Sequence, residues 1–224
     1  VQEIKDLDQT VPYDFLDAIN AKSNETYALV LSERSGQQDD DQSGQEQYAF
    51  YYRASRFEAT SFWLHNDSEN DQFQREPLIS NFNLLADNGS ILEEIALITV
   101  HTKPASAVNE TGALHNVVET YKQNSTHNHI IVLGDFNADC GYASTYELDQ
   151  LDIRSPEYTW VVPDSADTTF SENTHCAYDR IVMTSDVNGR FFDRWGVDRN
   201  MSDSDVSDHY PVWFDLDISE DVQE

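Results

Sequence analysis

Asp135 and Asn137 stand two residues apart in the string H-I-I-V-L-G-D-F-N-A-D-C, residues 129–140. On an extended chain alternate residues point the same way, so a carboxylate and an amide oxygen leave this strand end in one direction. Such a pair suits a hard divalent cation such as Mg2+, although Asp and Asn are also ordinary turn residues after strands. Other apolar fragments meet ionisable groups at Glu3, His101, Asp179 and Asp208-His209. Glu3, Asp135, Asn137 and Asp208 could surround a cation. His101 and His209 could then transfer protons, with Glu46 and Asp179 orienting them. A carboxylate beside an imidazole fixes its tautomer and favours its protonated form. Singly each signal is weak; their recurrence at corresponding strand ends points to one site of metal-assisted acid–base chemistry.

The elements that must position these groups follow from apolar patterning. Ile130 to Leu133 is a short apolar run of the kind a strand buried on both faces shows, and Gly134 breaks it. Before it, a helix is expected over 12–22, then strands over 27–31, 48–52, 56–65, 78–82 and 95–100. Asp87-Asn-Gly89 marks a hairpin turn, and Pro104 opens a second helix to about 123. After it come a short helix over 144–150 and strands over 158–162, 180–183 and 212–216. The polar stretches 35–47 and 163–169 read as loops. With no internal repeat and no linker, residues 1–224 are expected to form a single domain. Many strands with two substantial helices indicate a layered α/β fold, whose ligand crevice lies at one end of the strands.

Composition bounds the chemistry from outside. In 224 residues, Lys+Arg number 13 against 42 Asp+Glu, a formal net charge of -29. That is far from the basic face expected of a nucleic-acid binder. Hydrophobic residues at 39% and aromatics at 12% exclude disorder as the explanation. A folded chain with this excess of carboxylates suggests a halophilic surface, because molar salt screens self-repulsion to a few ångströms. The two cysteines are enough for one bridge. No apolar run reaches membrane-spanning length, and no signal peptide is expected within the given residues. Val1-Gln-Glu-Ile4 reads as the end of a strand, so the chain is expected to begin inside a domain.

The strings Gly134-Asp-Phe-Asn137, Asp164-Ser-Ala-Asp-Thr-Thr169, Cys176-Ala-Tyr-Asp-Arg-Ile181 and Ser207-Asp-His-Tyr-Pro-Val212 resemble pancreatic-type deoxyribonuclease I. That family belongs to the endonuclease/exonuclease/phosphatase superfamily. Gly-Asp-Phe-Asn and Ser-Asp-His-Tyr-Pro serve the whole superfamily, whereas the other two strings point to the deoxyribonuclease I branch. Val1-Gln-Glu3 and Phe73-Gln-Arg-Glu-Pro77 match further segments, so the resemblance runs across essentially the whole chain.

The resemblance implies a four-layer sandwich of two packed mixed β-sheets flanked by helices, lacking here the family's first strand and first helix. It implies that Glu3, Asp135, Asn137 and Asp208 surround Mg2+ or Mn2+, that His101 pairs with Glu46, and that His209 pairs with Asp179. Lys5 and Arg75 would contact backbone phosphate of double-stranded DNA, with Tyr142 and Tyr178 beside the scissile group. Cys140 and Cys176 would form a structural disulfide, and thus indicate an oxidising, extracellular compartment. Structural Ca2+ would map onto Asp71 and Glu76, and onto Asp167 and Thr169. The loop before Glu46 is longer and more acidic than the family's, Arg34 being the one candidate for its groove-entering cation. The small disulfide loop near 66–71 is absent.

The implied activity is hydrolysis of DNA with little sequence specificity, leaving 5′-phosphate ends. One histidine takes a proton from water while the other gives one to the departing 3′-oxygen, each transfer worth about 10²–10⁴-fold. His209, adjoining Asp208, is the favoured base. Phosphate binding draws on basic contacts, which a charge of -29 opposes. Arg34, Arg75, Arg154 and Lys5 could form a local positive face, or a basic DNA-binding module outside this chain could supply one. A secreted monomer without membrane association is expected. The competing functions are phosphoester hydrolysis on a lipid or sugar phosphate, and a non-catalytic binding relative. Retention of both His–carboxylate pairs argues against the second, and the Cys-Ala-Tyr-Asp string against the first.

Overall fold

The computed structural model describes residues 1–36, 44–190, 192–200 and 205–218. Much of the acidic loop expected over 35–47 therefore lies outside the described residues. The chain falls into two compact units, one over Val1–Thr99 and one over Val100–Ile218.

In the first unit, helix α1 (Val11–Lys22) starts where Pro12 tolerates the first turn. The Asp6 carboxylate accepts from the Thr10 and Val11 amides at 2.7 and 2.9 Å, satisfying two of the donors that a helix start leaves open. Strand β1 (Tyr27–Leu31) pairs antiparallel with β2 (Ala49–Arg53), Leu29 facing Tyr51. Strands β3 (Phe57–Leu64), β4 (Leu78–Leu85) and β5 (Ile91–His101) form an antiparallel meander. β4 is buried along most of its length because Phe82 takes edge contacts from Phe50, Tyr52 and Phe57 at 5.9, 5.3 and 6.3 Å. β1–β2 is thus layered on the meander through aromatic edges, a favoured geometry for ring pairs. β5 is longer than the apolar run expected over 95–100. Its first residues, Ile91 to Glu94, are exposed or half-buried, and Glu93 and Glu94 interrupt the apolar run.

In the second unit, the last two residues of β5 lead through a 3-10 turn (Pro104–Ser106) into helix α2 (Ala107–Asn124). Pro104 thus opens a 3-10 turn, and the α-helix begins one turn later. α2 buries Leu114, Val117, Val118 and Tyr121, the spacing of one helical face. Strand β6 (Ile130–Asp135) pairs antiparallel with β8 (Asp179–Thr184), and β7 (Tyr158–Trp160) flanks β8 on its other side. Gly134 lies inside β6 and does not end it. Its φ of 139° is a conformation that side-chain-bearing residues rarely adopt, and it aims the strand end at Asp135.

The short helix α3 (Thr145–Leu148) is closed by a full capping box, Ser144 and Glu147 bonding reciprocally. Helix α4 (Ser185–Arg190) and strand β9 (Phe192–Val197) have no counterpart among the expected elements. β9 pairs antiparallel with the expected final strand, β10 (Val212–Leu216). The fold class is the one expected: α/β, with sheets and helices layered around apolar cores.

Candidate active site

The site in the second unit is built on the register of β6 against β8, which sets Asp135 opposite Asp179. Asp179 opens its strand while Asp135 closes its own, and antiparallel pairing brings both to the same end of the sheet. The Asp135 carbonyl accepts from the Thr102 amide at 3.0 Å, which places His101, the last residue of β5, alongside. His101 Nε2 lies 3.6 Å from Asp135 Oδ2, and both side chains are buried. Asn137 has a positive φ of 48° and returns its own amide to Asp135 Oδ1 at 2.8 Å. Its side-chain amide donates to the Thr102 carbonyl at 3.1 Å, which leaves its oxygen as the atom presented outward from that bond.

His209 enters from the loop before β10. Its Nδ1 lies 2.7 Å from Asp179 Oδ2, and its Nε2 lies 3.9 Å from Asp135 Oδ2. The loop is held by backbone bonds from Phe170 to the Asp208 carbonyl and from Tyr210 to the Thr168 carbonyl, and by a bridge between Thr169 and His209. Burial lowers the His209 pKa. The hydrogen bond and charge of Asp179, with Asp135 and Asp208, outweigh it and raise the imidazolium to about 9. Burial and the charge of Asp179 push the Asp135 carboxyl up to about 6, against the lowering influence of His209, His101 and the Asn137 amide. A buried carboxylate whose charge is disfavoured by a like neighbour is stabilised by a cation, and groups so perturbed cluster at functional sites. Ligand atoms of Asp135, Asp179 and His209 lie within 4.8 Å of one another, but Asp179 holds His209 Nδ1 and the ring favours its protonated form, so the carboxylates are the groups here that suit a divalent ion. Asp208 is exposed beside them.

Tyr178 and Tyr142 extend the site sideways. Tyr178 lies 6.1 Å from the His209 ring and 5.7 Å from Tyr142, which is exposed. Cys140 and Cys176 form the expected disulfide. Asp139, which sequence reading missed, ties the same loops by accepting from the Ala177 amide at 2.7 Å. Also missed were Thr168, whose hydroxyl accepts from the Tyr178 and Asp179 amides, and the buried Arg180. Arg180 pairs with Asp164 at 2.9 Å and donates to the carbonyls of Val162 and Ala138. A full charge in an apolar strand run was the available signal for Arg180. Arg154, counted among the cations of a positive face, is bound to Asp164 at 2.6 Å and stacked 3.7 Å over Trp160.

Glu3, Lys5, Arg34, Glu46, Asp71, Arg75 and Glu76 lie in the first unit. Glu46 is buried between two cations, Lys5 and Arg75, each 3.4 Å away, and Lys5 also lies 3.4 Å from Glu3. Burial lowers the Lys5 pKa, and the charges of Glu46 and Glu3 reverse this to raise it. Arg34 donates to the carbonyls of Asp6 and Gln45. Asp71, with a φ of 47°, donates its amide to the Asp67 carbonyl, and Glu76 donates its own to Ser35. The buried Asp67 carboxylate caps this turn through the Gln72 and Phe73 amides. In the second unit, Asp167 accepts from both the amide and hydroxyl of Thr169.

Residues 1–209 match the model of the Endonuclease/Exonuclease/phosphatase family, and the chain belongs to that family. Within it the chain is deoxyribonuclease I-like. It is 34% identical to Deoxyribonuclease-1 of Mus musculus, over 95% of this chain and 77% of that one. Against Deoxyribonuclease-1 of Homo sapiens the identity is 33%, over 95% of this chain and 78% of that one. Among solved structures, D. rerio TDP2 complexed with single strand DNA product matches with a TM-score of 0.64 and 15% identity, over 96% of this chain and 84% of that one. A mannosyl-6-phosphatase of Bacteroides thetaiotaomicron matches with a TM-score of 0.59 and 15% identity, over 96% and 83%. At these identities the structural likenesses speak to the fold alone.

Proposed function

We propose that this chain is a divalent-metal-dependent endonuclease that hydrolyses DNA phosphodiester bonds with little sequence specificity and leaves 5′-phosphate ends. The observation that carries the reading is the convergence of His101 and the Asp179-bound His209 on the buried carboxylate of Asp135. The deoxyribonuclease relatives support DNA as the substrate.

Asp135, Asn137 and Asp208 of the second unit would hold Mg2+ or Mn2+. Bound there, the ion would neutralise charge on the phosphate and fix its orientation. Asp179 holds the His209 ring by Nδ1 and leaves Nε2 facing Asp135. The charges around His209 favour its protonated form. In that form it can protonate the leaving 3′-oxygen, whereas its position beside Asp208 favours the base role. His101 would take the proton from the attacking water. Tyr178 and Tyr142 would flank the scissile group, and Lys5 and Arg75 would contact backbone phosphate. The Cys140–Cys176 bridge supports a secreted enzyme, since such bonds persist in oxidising compartments.

The test is nicking of supercoiled plasmid beside sphingomyelin and inositol phosphates under the same metal conditions, with end-labelling of the DNA product. DNA cleavage with 5′-phosphate ends supports the reading. Turnover of a lipid or sugar phosphate with intact plasmid would replace it.

A further inference from the structure

Asp167 and Thr169 are the residues onto which a structural Ca2+ maps by family resemblance, yet the oxygens of Asp167 are already engaged by the protein itself. Oδ1 accepts from the Thr169 amide at 3.2 Å and its hydroxyl at 2.9 Å. Oδ2 lies 3.1 Å from His175 Nδ1 and accepts from both terminal nitrogens of Arg199 at 3.3 Å. Arg199 Nη2 also donates to the Asp167 carbonyl at 2.6 Å, so one planar guanidinium spans side chain and backbone of the same residue. The guanidinium stacks 4.5 Å over the ring of Tyr210, which packs against Phe170 at 4.9 Å. A divalent ion on this carboxylate would sit against the half-exposed Arg199 guanidinium and would have to displace it.

We infer that Arg199 replaces a structural calcium ion in this chain and acts as a positioning residue for the Asp179–His209 pair. The segment it clamps reaches both members of that pair. Thr168, next to Asp167, receives the Tyr178 and Asp179 amides on its hydroxyl, and Thr169 bridges to His209. The Tyr210 amide bonds to the Thr168 carbonyl, so the ring under Arg199 belongs to the residue that follows His209. A cation here joins the loop before β8 to the loop between β9 and β10, which share no sheet. A guanidinium supplies that cation without dependence on free calcium, and molar salt weakens it less than an exposed single-contact pair, since it is bidentate and stacked.

The test uses the native chain and Arg199→Ala, read by calorimetric titration of Ca2+ alone and by thermal unfolding. The turnover arm rests on the function proposed above, whereas the binding and unfolding arms do not. The native chain is expected to show no calcium binding that Asp167→Asn removes. Arg199→Ala is expected to lower Tm by about 3 °C, and Ca2+ is expected to restore it by occupying the vacated oxygens. On DNA, kcat of Arg199→Ala should fall about tenfold with KM little changed, as expected when reacting groups are misplaced. Calcium binding by the native chain that Asp167→Asn abolishes would overturn the inference even if Arg199→Ala failed to fold. So would an Arg199→Ala that unfolds and turns over like the native chain, or a loss that Ca2+ leaves unchanged.

Discussion

Asp135 is the residue at which burial and charge conflict most openly. Its carboxyl is raised from an ordinary 3.8 to about 6, so the folded chain favours its neutral form. That contribution to stability is full below the unfolded pKa and is lost as pH rises through about 6. His209, raised from 6.5 to about 9, likewise contributes fully below 6.5, and its contribution is lost as pH rises through about 9. The metal-free chain should therefore lose stability in two steps, one below and one above neutrality, visible as Tm against pH. Mg2+ should raise Tm more at neutral pH than near pH 4, because the ion binds the charged carboxylate. Asp135→Asn should keep or raise the metal-free Tm, abolish the Mg2+-dependent increase and abolish cleavage. A metal-free Asp135→Asn with a markedly lower Tm would show that the charge stabilises the fold and would contradict this reading. Asp135, Asn137 and His209 were legible in sequence because each lies in a short motif beside an apolar run. The Arg199–Asp167 clamp was not, because it joins residues 32 apart in the chain with no periodic pattern between them.

At the scale of elements, the loops around β6 and β8 are fixed by covalent and polar ties as well as by the packing of Phe136, Ala138 and Ala177. The Cys140–Cys176 bridge spans 36 residues, and closing a loop of that size constrains the unfolded chain by an order of about 4 kcal/mol. Reduction should therefore lower Tm by several degrees and loosen Tyr142 and Tyr178 beside His209. A reduced chain with unchanged Tm and cleavage would assign the bridge no part in holding the site. Gly134→Ala forces a side chain onto a φ of 139° one residue before Asp135, and should cost both stability and activity. Unfolding midpoints and nicking rates would register both. The long strands and α2 were legible because their apolar residues keep a period. α4 and β9 were not: α4 is six residues long, with Val187 as its buried side chain, and β9 mixes Asp193, Arg194 and Gly196 among its apolar residues. Pairing with β10 makes β9 a strand, and such tertiary selection leaves no local trace.

At the scale of the whole chain, the charge of -29 opposes both folding in dilute buffer and approach to DNA. Several of its cations are bound to carboxylates, Arg75 and Lys5 to Glu46 and Arg154 to Asp164. Raising KCl from dilute to molar concentration should therefore raise Tm, since screening relieves repulsion among 42 acidic residues. An unchanged Tm across that range would remove salt adaptation from the description. Cleavage should pass through an optimum, because the same screening weakens phosphate contacts.

The most direct measurement of the central claim is the nicking rate of supercoiled plasmid in Mg2+ by the native chain, His101→Ala and His209→Ala, with unfolding curves for each. The expected result is cleavage by the native chain and a loss of at least about 10²-fold in either variant, with cooperative unfolding retained. Native-rate nicking by either folded variant would contradict it, as would a folded native chain that leaves the plasmid intact at every salt concentration.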